Sequence, residues 1–313
     1  MQERCLPGSG IRVSRIGLGT VQFGMDYGFT KAFTQGRVDE ILSCCEARGV
    51  NLLDTARGYG DSECKIGSYL LRHPGSRFVL CTKLEKIGRD AAANEGMLRE
   101  SIRRSIGESL DALGLASLPL LMLHQTDLFL IDSDRFWDAV EGLREEGLFE
   151  CFGVSVYEVE DAESVLEAKR RVGFFQVPFN VFDRRFKRLA ARMKDSGKLM
   201  LGRSVFLKGI LTAGEAQVPA WLSAVRPHLA RFQEVAARAG LSPAALALLF
   251  VLGSDCIDAA VLGVASVEEL ERDIETLARL GDVATTLREL GDLEVSDHSL
   301  CDPRRWPQNV FPA

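Results

Sequence analysis

The chain has 313 residues, 46% hydrophobic and 26% charged, with a mean hydropathy of +0.03 and a formal net charge of −6. This length can bury a barrel-sized core. The acidic balance offers no basic footprint for a nucleic-acid backbone, and no apolar run reaches the roughly 18 residues that span a bilayer. The opening MQERCLPGSG lacks the basic and apolar regions of an export signal. Eight cysteines, at 5, 44, 45, 64, 81, 151, 256 and 301, form no CxxC pair and no regular spacing. Neither a metal site nor a disulfide framework is expected, and reduced thiols in the cytoplasm are the plain reading.

In chain order, short β-branched or leucine-rich runs alternate with amphipathic segments. A strand is expected at residues 15–19 and a helix at 37–48, then a strand at 51–54. The run LLDTARGYGDSE, 52–63, starts as that strand, stops at Asp54, passes through a glycine-bracketed turn carrying Tyr59 and ends as a helix. A strand at 78–83, a helix at 95–113, a strand at 118–124 and a helix at 134–146 follow. Next come strands at 151–156, 174–178 and 199–204, interleaved with helices at 159–170 and 185–196. Helices at 226–239 and 243–252, a strand at 258–263 and a helix at 267–280 complete the series. Eight strand–helix units with no Pro/Ser linker favour an α/β fold, one (β/α)8 TIM-barrel domain over 1–313 with an irregular tail from about 281. An open doubly wound sheet is the structural alternative, but Gly17, Gly19 and Gly24 do not have the GxGxxG spacing.

A polar side chain closes nearly every apolar run at the same end: Asp54, Lys83, His124, Ser155, Gln176 with Asn180, and Arg203 with Ser204. The C-terminal rim of such a barrel is where active sites form. Tyr59 offers a phenol whose ordinary pKa is about 10. A lysine about 4 Å away would favour its phenolate by at most roughly 4 kcal/mol, about three pKa units, so Lys83 is expected to lower it. Asp54 would orient Lys83 through an ion pair, and His124 would donate a hydrogen bond to a carbonyl oxygen. No side chain supplies hydride, so a redox cofactor is required.

GLGTVQFG (17–24), LLDTARGYGDSE (52–63), TKL (82–84), LHQTD (123–127), FGVSVY (152–157), QVPFN (176–180), GRSVFLKGIL (202–211) and VLGVAS (261–266) resemble, in order, the motifs of the aldo-keto reductases. TVQFG followed by DYG resembles a bacterial branch associated with sugar and polysaccharide metabolism. The resemblance implies that Asp54, Tyr59, Lys83 and His124 are catalytic. It also implies an NAD(P)H-dependent oxidoreductase reducing a small-molecule aldehyde or ketone, an oxo-sugar among them, to an alcohol. The cofactor would be NADP(H), with NAD(H) accepted, touching Gly19, Thr20, Asp54, Ser155, Gln176, Arg203, Ser204, Phe206, Lys208, Gly263, Ser266 and Glu269.

Several positions depart from the family pattern. Val156 stands where an asparagine amide is common, Arg203 where an aromatic ring stacks on nicotinamide, Glu269 where an arginine or glutamine is common, and Asp273 where an asparagine is common. Arg203 could stack, or turn to a cofactor phosphate or a substrate anion. A carboxylate at 269 would repel a 2′-phosphate and accept from a free ribose hydroxyl, while Arg272 could take the phosphate instead. Trp306 would cover the pocket or anchor the tail. Two other classes fit the same residues: a nicotinamide-binding regulatory or sensor barrel, and a non-redox lyase or epimerase using Tyr59 and Lys83 for proton transfer alone.

Overall fold

Period-two alternation within short strands builds the centre of the molecule. In the computed structural model, which describes residues 1–26, 31–124 and 127–307, eight parallel strands close into a barrel. They are Ile16–Gly19, Leu52–Asp54, Val79–Lys83, Leu118–Leu123, Phe149–Ser155, Phe174–Pro178, Leu199–Arg203 and Ala259–Leu262, numbered here as strands 1 to 8. Each pairs with its neighbours in sequence, and strand 8 pairs with strand 1. The register sets Gly19 beside Asp54, Asp54 beside Cys81, Ser155 beside Gln176 and Pro178 beside Arg203.

Alternate residues Leu52, Cys81, Leu120, Met122, Phe174, Leu201 and Val261 fill the barrel interior in one buried cluster. Leu6 and Val13 join this cluster. They come from an antiparallel hairpin, Glu3–Cys5 with Arg12–Ser14, which precedes the first expected strand. Continuing the same period upward from Leu52, Cys81, Met122, Phe174, Leu201 and Val261 reaches Asp54, Lys83, His124, Gln176, Arg203 and Gly263. The polar rim is the top of the stack whose lower layers are apolar. The opposite faces, such as Leu53, Leu80, Leu121, Phe152, Val154 and Met200, pack against Ile41, Ile66, Ile102, Phe136 and Val140 of the surrounding helices.

The helices of the outer ring carry ordinary end signals. Asn94 caps Glu95–Leu113 and Gly114, at φ 69°, ends it, while Ser242 followed by Pro243 starts Pro243–Leu252. Most boundaries shift by one or two residues from expectation, and three helices differ more. The helix after strand 6 opens as a 3-10 turn, Arg185–Leu189, before Ala190–Asp195. The one after strand 5 stops at Glu167, and the one after strand 8 stops at Thr276 and continues as 3-10. The tail is less irregular than expected: it includes a short helix, Ala284–Glu289, and buries Leu290, Leu293, Val295, Cys301 and Trp306 in a second apolar cluster with Leu229 and Phe232. Among the described residues no single helix is long and apolar enough to cross a membrane, and all eight cysteines are unpaired.

Candidate active site

The run that ends strand 2 turns sharply because two glycines let two loops touch. A Cβ on Gly24 would lie 1.8 Å from the Tyr59 carbonyl oxygen, and one on Gly60, at φ 59°, would lie 2.2 Å from the Gly24 oxygen. Beneath this contact the Ser62 hydroxyl bonds Thr20 Oγ1 at 2.9 Å and lies 3.2 Å from Thr55 Oγ1. The buried Glu63 accepts from Thr82 Oγ1 at 2.6 Å and from Arg57 at 2.7 Å. The turn that presents Tyr59 is thereby tied to strands 1 and 3.

Four of the residues singled out by sequence meet here. Lys83, 1% exposed, donates to Asp54 Oδ1 at 2.8 Å and to the Thr55 carbonyl at 2.7 Å. Its ammonium lies 4.8 Å from the centre of the Tyr59 ring. The His124 ring stands edge-on to Tyr59, 6.1 Å between centroids at 87°. Gln176 Nε2 also donates to Asp54 Oδ1, at 2.9 Å, and Ser155 Oγ donates to Gln176 Oε1 at 3.3 Å. Asp54 therefore binds both the lysine and the amide that the sequence expected to face a cofactor.

The electrostatics follow from burial and these neighbours. Burial opposes the charge on Lys83, but Asp54 and then Tyr59 outweigh it and hold the ammonium above the usual lysine range. Burial also raises the Tyr59 phenol, and Lys83 only partly offsets this. The expectation that Lys83 would bring the phenol below its ordinary value is thus corrected: withdrawal from water, with Asp54 adding to it, is the stronger effect. Tyr59 is held protonated. Partial withdrawal of the His124 ring from water, and then the charges of Lys83 and Arg203, push its pKa down to about 3, so it is neutral near pH 7.

A cavity of about 510 Å³ opens above these groups, within the range of small-molecule sites, roughly 300 to 1,000 Å³. Asp54, Tyr59 and His124 line it, as do Gly19, Thr20, Ser155, Gln176, Arg203, Ser204, Phe206, Lys208, Gly263 and Glu269. Ser266 does not: its hydroxyl accepts from the Glu269 amide and caps the helix Val267–Thr276. Arg272 is exposed and is not in the cavity wall. The Glu269 carboxylate accepts from the Ala265 amide. Val156 is fully buried, and Asn180 folds back on its own turn, accepting from Phe182 and Asp183 and donating to the Ser204 carbonyl at 3.2 Å.

One wall is strained. Ser204, Leu207 and Lys208 have φ of 59°, 48° and 51°, three of the four left-handed non-glycine residues among those described, and Gly209 follows at 91°. Such backbone costs on the order of 1–3 kcal/mol per residue and collects where ligands are held. Sequence reasoning missed Tyr157 and undervalued Arg304, which also line the cavity. Arg203 and Arg304 lie 3.8 and 3.7 Å from the centre of the Tyr157 ring. Arg304 is held by Asp302 and by Glu158. Arg203 therefore rests on Tyr157. Trp306 anchors the tail, packing on Trp221 at 5.4 Å and donating to the Leu300 carbonyl.

The Aldo/keto reductase family model matches residues 15–282. L-galactose dehydrogenase of Arabidopsis thaliana is 25% identical, over 99% of this chain and 98% of the relative. NADH-specific methylglyoxal reductase of Escherichia coli is 25% identical, over 90% of this chain and 96% of the relative. An aldo-keto reductase from Bacillus halodurans, solved in its holo form, superposes with a TM-score of 0.76 at 19% identity, covering 98% of this chain and 100% of its own. Named oxidoreductases among the relatives favour neither the sensor nor the lyase alternative. With its closed eight-stranded barrel and a family match covering most of its length, this chain belongs to the aldo/keto reductase family and is an oxidoreductase.

Proposed function

We propose that the enzyme reduces the carbonyl of an aldehyde or ketone, oxo-sugars included, to an alcohol, with Tyr59 as the proton donor. The observation that carries this reading is the buried Asp54–Lys83 pair beneath a protonated Tyr59, with a neutral His124 at the edge of the phenol. Tyr59 gives its proton to the carbonyl oxygen, and Lys83 stabilises the phenolate that remains. Asp54 keeps Lys83 charged and aimed. A neutral imidazole at His124 retains one N–H to position the oxygen without competing for the proton. The names of two relatives, a dehydrogenase of a sugar and a reductase of methylglyoxal, agree with carbonyl chemistry on small polar substrates.

The residues present fit a nicotinamide dinucleotide. Ser155 and Gln176 offer polar groups on the cavity wall beside Asp54. Ser204, Lys208 and Gly209, all left-handed, line the same cavity, a backbone geometry suited to phosphate. When bound, the cofactor supplies the hydride. Within this reading Ser155 and Gln176 hold the carboxamide, Ser204, Phe206 and Lys208 lie along the pyrophosphate, and Gly263 and Glu269 border the adenosine end. Ser266 acts there only through its cap. A carboxylate at that end disfavours a 2′-phosphate, so the enzyme uses NADP(H) with weak discrimination and accepts NAD(H). Consumption of NADPH and NADH with a panel of aldehydes, ketones and oxo-sugars tests the reading directly. Tyr59→Phe should lower kcat/KM by about 10²–10⁴ while cofactor affinity stays nearly constant; full activity in that variant refutes the proton-donor role.

A further inference from the structure

We infer that the carbonyl compound this enzyme acts on carries an anionic group, a carboxylate or a phosphate, received by Arg203; the inference rests on the carbonyl-reductase reading above. Arg203 ends strand 7, points into the cavity and is half-buried. Among the described residues no carboxylate lies within ion-pair distance of it. Its one hydrogen bond there runs from Nη2 to the Val156 carbonyl at 3.1 Å. A guanidinium has five N–H donors, so most of its capacity has no partner among the described residues.

The two other cations next to the reacting groups each have a carboxylate. Lys83 has Asp54, and Arg304 has Asp302 and Glu158. Arg203 is thus the cation of the reaction centre left for a ligand, and its charge reaches both Tyr59 and His124. It is also held in place. Its guanidinium carbon lies over the Tyr157 ring, whose centre is approached by Arg304 as well. Glu158 next to that ring binds Arg304 and Arg185. A fixed, partly desolvated guanidinium without a counter-charge is a receptor for a planar carboxylate or for phosphate oxygens. The alternative source of the anion is the cofactor pyrophosphate, which the strained wall at Ser204 to Gly209 is shaped to meet.

Matched substrate pairs separate the two. With butanal against 4-oxobutanoate, and glyceraldehyde against glyceraldehyde 3-phosphate, kcat/KM should favour one anionic member by about tenfold to a hundredfold, the worth of a charge-assisted contact. Arg203→Gln should remove that advantage and Arg203→Lys should retain part of it, with NADPH affinity shifted by less than about threefold and melting behaviour confirming that both variants fold. Should Arg203→Gln weaken NADPH binding while the anionic-to-neutral ratio is unchanged, Arg203 serves the cofactor and the inference is overturned. Calorimetry of the enzyme–NADP⁺ complex with butanoate and with inorganic phosphate is independent of turnover. Binding that Arg203→Gln abolishes, in a protein that reduces no carbonyl, would sink the reductase reading and keep the anion site. No binding of either probe, beside measurable reduction of neutral carbonyls, would sink the anion site and keep the reductase.

Discussion

Asp273 sits on the helix Val267–Thr276, one turn beyond Glu269, and is 4% exposed with Oδ2 lacking any hydrogen-bond partner. Burial, and secondarily the Glu269 charge, push its pKa up to about 7, against the opposing pull of Arg272. In the unfolded chain the group titrates near 3.8. The sign follows: the native state keeps a proton that the unfolded chain releases, so its stabilisation is complete below about pH 4. It is lost as pH rises toward about 7 and is absent above that. A gap of about three units corresponds to roughly 4 kcal/mol at about 1.4 kcal/mol each. Asp273→Asn should therefore gain on the unmodified protein by up to about 4 kcal/mol between pH 4 and pH 8. At about 2 °C per kcal/mol for a chain of this size, the melting temperature should move by about 8 °C. Thermal unfolding of both proteins at half-unit pH steps measures it. The asparagine amide adds a constant offset, so the slope is what counts. A difference in melting temperature that does not change with pH would refute the argument.

Lys83→Met leaves Asp54 buried without its partner and should cost about 3–5 kcal/mol of stability. The double variant Asp54→Asn with Lys83→Met should recover most of that loss in urea unfolding yet remain as poor a reductase as the single variant; joint recovery of activity would show that the lysine charge is not needed. Because His124 is neutral down to about pH 3, log kcat/KM plotted against pH should show no inflection between about 5 and 8. An acid limb near 6.5 that His124→Gln removes would contradict this. The unmodified protein should favour NADPH over NADH by less than about a hundredfold in dissociation constant, and Glu269→Gln should widen the gap; a strong preference untouched by the substitution means that the carboxylate does not meet the 2′ position.

The sequence by itself determined the barrel and its rim, because period-two strands separated by amphipathic helices admit few closed arrangements, and the same period carries an apolar interior up to Asp54, Lys83, His124, Gln176 and Arg203. The Tyr59 turn was legible for a similar reason: Gly58 and Gly60 bracket the tyrosine and are local signals, whereas the close approach of Gly24 to that turn is a long-range contact. Tertiary structure alone decided the rest. Ser266 lies outside the cavity wall with its hydroxyl accepting from the Glu269 amide at the cap of its helix, a placement that composition does not rank. The direction of the Tyr59 shift depended on how far the phenol is withdrawn from water, and a sequence shows the charges but not the solvent. The resting place of Arg203 on Tyr157, braced by Arg304 from 101 positions further along the chain, came from a tail with no periodicity to read. Local pattern sets which residues share a face, whereas burial and long-range contacts set what those residues can do there.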